Sequence, residues 1–163
     1  MEKDKLPVIL QSGRTKFIFD SLETNCDHDY VEYFRKVPNT TFLFTFRVMK
    51  TIPTFNIDIV LSVLKTNRVL YKAEDIKGCD LVKNPRMFKN FGRSFTHLVV
   101  NGSYFKCPIE PRIYYLQNEP LMSMFPSVHL AGHFQLSMRL KIPNSYQPFV
   151  MESTWKYKIS RVK

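Results

Sequence analysis

The sequence predicts a mainly β protein, a sandwich of antiparallel strands with one helical insert around residues 84–100. Two observations carry this. Apolar residues recur with period two in four separate stretches, and only the stretch 84–100 switches to helical spacing. A third is size: 163 residues, 44% hydrophobic, suit one domain with a substantial core.

The elements follow in chain order. A weaker strand is expected at 15–22. In 41–48, Phe42, Phe44, Phe46 and Val48 share one face. In 54–65, Phe55, Ile57, Ile59, Leu61 and Val63 alternate with mostly polar neighbours. Lys65-Thr66-Asn67-Arg68 is a turn signal, and a weaker strand is expected at 69–75. Asn84-Pro85 reads as a helix start and Asn101-Gly102 as its stop, with Phe88, Phe91, Phe95, Leu98 and Val99 on its apolar face. A weaker strand follows at 111–116. In 133–142, Phe134, Leu136, Met138, Leu140 and Ile142 oppose His133, Gln135, Ser137, Arg139 and Lys141. Pro143-Asn144-Ser145 turns the chain into 149–159, where Phe149, Met151, Trp155, Tyr157 and Ile159 form the apolar face. Strands of this kind meet a core on one side and water on the other. Residues 1–14 read as an N-terminal extension and 15–163 as a single domain.

Several function classes find no support. Residues 1–10 hold an apolar patch too short for a signal-peptide core, and no apolar run approaches the roughly 20 residues of a membrane span. The sequence holds no nucleophile elbow, Walker loop, dinucleotide fingerprint or zinc-protease motif. His129 and His133 are four apart, but Gly132 argues for a strand, so no metal site is assigned. Asp27-His28-Asp29 reads as a solvated turn. No catalytic residue and no cofactor is assigned, and the chain is expected not to be an enzyme.

The formal charge is +10, from 24 basic and 14 acidic residues. Nucleic-acid binding needs basic residues on one face with aromatics exposed among them. Here the aromatics alternate onto the apolar faces and the basic residues are dispersed. The densest basic group is Lys156, Lys158, Arg161 and Lys163. No nucleic-acid partner is expected.

Three cysteines are present. Cys79 and Cys107 bracket the expected helix and either bridge it or stay as buried thiols, and Cys26 is the odd one. Asn39-Thr40-Thr41 and Asn101-Gly102-Ser103 match the glycan acceptor pattern. The aromatic load is high: 14 Phe, 8 Tyr, 1 Trp and 7 Met. Such residues fill a core or line a pocket, and composition alone leaves both open.

The order of features resembles a known family. Gly78-Cys79-Asp80-Leu81 is followed by Cys107-Pro108-Ile109 and Tyr114-Tyr115-Leu116. Then come Pro126, Gly132-His133-Phe134-Gln135-Leu136, Arg139-Leu140 and Trp155-Lys156-Tyr157. Over residues 15–160 this is similar to the insect family called domain of unknown function 1091. That family is placed near the MD-2-related lipid-recognition (ML) proteins and the chemosensory B-type proteins. The resemblance implies an immunoglobulin-like, ML-type sandwich, secreted, with a Cys79–Cys107 disulfide and a lipid or other apolar small molecule as ligand. A chemosensory role, sensing pheromones or hydrocarbons, is part of that implication. Candidate cavity-wall residues are Phe44, Phe46, Ile57, Ile59, Phe91, Phe95, Leu136, Met138, Leu140, Met151 and Trp155, and candidate glycan sites are Asn39 and Asn101. The alternative is an adaptor with a filled core, binding a membrane receptor or channel through the basic faces around Lys156 and Lys158.

Overall fold

The computed structural model describes residues 8–84, 106–117 and 130–161. Within them nine strands and one short helix form two antiparallel sheets, as the alternation requires. The large sheet contains β1 (Val8–Ser12), β2 (Thr15–Cys26), β5 (Asn56–Val63), β6 (Val69–Lys77), β8 (Gly132–Lys141) and β9 (Met151–Arg161), in the order β1-β2-β9-β8-β5-β6. The small sheet contains β3 (Val31–Lys36), β4 (Leu43–Val48) and β7 (Ile113–Gln117), in the order β3-β4-β7. Helix α1 spans Gly78–Lys83.

The strongly alternating stretches all form strands on the expected faces. Phe44, Phe46 and Val48 are buried while Arg47 is exposed. Met151, Trp155, Tyr157 and Ile159 are buried on β9. Phe149 departs from the expected face. It precedes the strand, sits half-buried under the Arg139 guanidinium, and leaves Val150 to fill the core. The turn after β8 is as expected: Ser145 N–H donates to the Ile142 carbonyl at 3.2 Å, with Asn144 left-handed.

Two strands had no clear signal. β1 lies within the stretch read as an extension and zips onto β2, Ile9 opposite Ile18. β3 carries a bulge: Val31 opposes Val48 and Phe34 opposes Phe46, so three steps on β3 match two on β4. The extra residue breaks the period-two pattern and places Val31 and Phe34 on the same inner face.

A short helix not expected from the sequence, α1, ends where the expected helix begins. Asn84 is the C-cap of α1, its N–H donating to the Asp80 carbonyl at 2.9 Å, and so closes a helix that begins at Gly78. The stretch 85–100, with Phe91 and Phe95, lies outside the described residues, as does Asn101.

The core joins both sheets. Val31, Phe46, Val48 and Tyr114 from the small sheet pack with Ile57, Ile59 and Met151 from the large one, sealed by Ile52, Phe55, Leu81, Ile109 and Val150. A second cluster on the large sheet gathers Phe17, Phe19, Leu61, Phe134, Trp155, Tyr157 and Ile159. A Cys79–Cys107 disulfide ties α1 to the segment that enters β7. That segment is held a second time by the reciprocal Ile52–Ile109 bridge, at 2.8 and 3.0 Å.

Candidate ligand cleft between the sheets

The inner face of the large sheet is a lattice of apolar side chains whose register is fixed by three adjacent strands. On β8, Leu136 lies between Leu61 and Trp155, Met138 between Ile59 and Ser153, and Leu140 between Ile57 and Met151. The flanking residues are all buried. The three β8 residues between them are only half-buried. This inverts the usual order, because β8 is an interior strand and its inward side chains should be the most protected. The half-buried row runs along β8 from Leu136 to Leu140, about 13 Å at strand rise.

Seven of the eleven candidate wall residues are therefore assembled on one surface: Ile57, Ile59, Leu136, Met138, Leu140, Met151 and Trp155. Phe46 of β4 packs in one cluster with Ile57, Ile59 and Met151, whereas Phe44, buried on the same strand, meets Phe34 edge-on at 6.1 Å within the small sheet. Phe46 does not face empty space, since its ring stacks on Tyr114 at 5.2 Å and meets Phe34 edge-on at 6.1 Å. Around Phe46 the interior is filled by the protein's own side chains, and the half-open row is confined to β8. Phe91 and Phe95 fall outside the described residues.

Two features escaped the sequence reading. Ser153 is buried opposite Met138, a small polar residue where the alternation called for a large apolar one. Tyr114 is a buried partner of Phe46, but both faces of Ile113-Tyr114-Tyr115-Leu116 are apolar, so alternation could not say which face turns inward.

The outer face has different chemistry. A groove of about 310 Å³ over β6, β5 and β8 is lined by Asp58, Val60, Val69, Lys72, Glu74, Ser137 and Arg139. Its charges are paired: Lys72 with Glu74 at 2.9 Å, Arg139 with Glu152, and Asp58 with Lys141 at 2.8 Å. Lys141 also holds Asp75 at 2.9 Å. Ionic walls of this kind do not suit an apolar guest. Asp27 braces its own turn, its Oδ1 accepting from the Asp29 N–H at 3.0 Å.

The resolved titration shifts agree in sign. Burial pushes the Cys26 thiol and the Tyr114 and Tyr157 hydroxyls up, and hydrogen bonds to Asp58 and then Asp75 raise Lys141. Each group keeps its proton in the fold at a pH where the unfolded chain releases it. Their contribution is complete below the ordinary values of 9.0, 10.0 and 10.5 for Cys, Tyr and Lys, and is lost as pH rises through the raised ones. Urea midpoints measured across this range should fall steadily above about pH 9, and less steeply for Tyr157→Phe. A midpoint that climbs from pH 9 to 11 would contradict these shifts.

A family model described as "Protein of unknown function (DUF1091)" matches residues 55–136, half of the chain, from just before β5 into β8. The span includes Gly78, both disulfide cysteines and the first residue of the half-open row. No curated protein matches the chain.

Proposed function

The chain belongs to the DUF1091 family of proteins of unknown function, and for this member we propose a non-enzymatic, extracellular binding role whose ligand is a lipid or other apolar small molecule. The observation that carries the reading is the half-buried row Leu136, Met138, Leu140 between fully buried flanks on an interior strand. An alkyl chain laid along it covers about ten methylenes at about 0.8 kcal/mol each, roughly 8 kcal/mol before ordering costs. Selectivity then comes from the length of the row and from the Ser153 hydroxyl at its centre. The Cys79–Cys107 disulfide supports residence in an oxidising compartment. Asn39, exposed at the β3–β4 turn with φ 64°, is accessible to a glycosylating enzyme. In this reading the role needs no cofactor, and a chemosensory function is one use of such a carrier.

The test is displacement of a fluorescent fatty-acid probe, with native mass spectrometry for a co-purifying apolar molecule. Met138→Asn is expected to weaken probe binding about tenfold, because it sets an amide against the chain at mid-row. The melting temperature reports separately on folding. Absence of both probe binding and bound molecule favours the filled-core adaptor, a reading supported by the Phe34–Phe46–Tyr114 packing.

A further inference from the structure

We propose that the end of the large sheet around Gly132 is a docking surface for an anionic lipid bilayer. The topology gathers distant parts of the chain there. Gly132 at the start of β8 pairs with Ile159 near the end of β9, and Arg161 pairs with Thr15 at the start of β2. On the other side the β5–β6 turn closes in, with Leu64 N–H donating to the His133 carbonyl at 3.0 Å. Arg14, Lys16, Lys65, Arg68, Lys158 and Arg161 are brought to one end in this way.

Among the described residues none of these six cations forms an ion pair, whereas Arg139 and Lys141, toward the opposite end of the same sheet, are paired with Glu152 and with Asp58 and Asp75. All are exposed except the half-buried Lys16. Among the described residues the nearest acid along β2 is Asp20, at the bulge between Phe19 and Ser21. The array spans β2 to β6, four strand spacings or about 19 Å, which suits an extended anionic surface.

The apolar residues at the same end decide between anionic partners. Val69 and Leu70 follow Arg68 directly and Leu130 precedes Gly132 by two residues, and all three are exposed, at 50%, 37% and 62%. A sulfated polysaccharide has nothing to bury them. The headgroup–acyl boundary of a bilayer accepts apolar side chains and basic groups together.

Co-sedimentation with phosphatidylcholine vesicles, with and without phosphatidylserine, tests this on the full chain. Binding is expected only with phosphatidylserine and should weaken as salt rises. Lys158→Glu with Arg161→Glu is expected to reduce it about tenfold or more. Arg35→Glu with Lys50→Glu, the same charge change beside the small sheet, should leave binding within about twofold of wild type, because a distant charge is screened. Val69→Ser with Leu70→Ser should weaken vesicle binding while leaving retention on a sulfated resin unchanged. No binding to phosphatidylserine vesicles, an equal loss from the Arg35/Lys50 pair, or an effect of salt alone with none from Val69 and Leu70 overturns the proposal. A failed fatty-acid assay leaves it standing, since none of these residues lies in the β8 row.

Discussion

Cys107→Ser is expected to lower the unfolding free energy by about 3–4 kcal/mol, because the lost bridge closes a loop of separation 28. Most of the effect lies in the unfolded chain, which regains the freedom the cross-link had removed. The folded state also loses one of two ties on the segment entering β7; the Ile52–Ile109 bridge remains. The substitution is therefore expected to leave the sheets assembled while shifting the urea midpoint strongly. Thiol counting on the native oxidised protein should find one reactive cysteine, Cys26, in the wild type and two in the variant. Treatment of the wild type with reductant should bring its midpoint to that of Cys107→Ser, and the variant should not respond. An unchanged midpoint under oxidising conditions would mean that the bridge does not contribute.

How much of this was legible in the sequence depended on whether the information was local. The strand faces around Phe44, Ile57, Leu136 and Tyr157 were, because alternation against a one-sided core is a property of a few adjacent residues. β3 was not, since its bulge puts Val31 and Phe34 on one face at a spacing no period-two template accepts. On β6 the same thing happens at Asp75, left-handed at φ 54°, where Ile57 opposes Ile76 and Ile59 opposes Ala73. Asn84 suits either end of a helix by type, and only the preceding backbone makes it a C-cap.

The candidate site divides along the same line. Which residues line the inner face could be read from the chain, but which of them stay half-open could not. That depends on how the two sheets sit across β8 and on the buried Ser153. The basic end is wholly non-local. Its cations run from position 14 to position 161 and look dispersed until the order β2-β9-β8-β5-β6 sets their strand ends side by side.

Gly78→Ala is expected to destabilise the protein by about 2–4 kcal/mol, although alanine is intrinsically the better helix former by about 1 kcal/mol. Conformational freedom is not the reason, because among the described glycines only Gly13 and Gly132 are left-handed. The reason is space. A Cβ on Gly78 falls on the ring of Phe55, meeting three of its carbons closer than van der Waals contact allows. The backbone cannot easily retreat, since Gly78 N–H donates to the Phe55 carbonyl at 2.9 Å and the next residue is cross-linked. The ring cannot easily retreat either: Phe55 is 1% exposed, in one cluster with Leu81, Ile109 and Val150. Something in that cluster has to give, and the cost approaches that of removing a buried phenylalanine. A double-mutant cycle isolates the cause. Phe55→Ala alone should cost about 3–5 kcal/mol, but in that background Gly78→Ala should cost nothing or stabilise slightly, because the ring is gone and the helix propensity remains. Strict additivity of the two substitutions would remove the steric explanation and leave α1 without a physical reason for starting at a glycine.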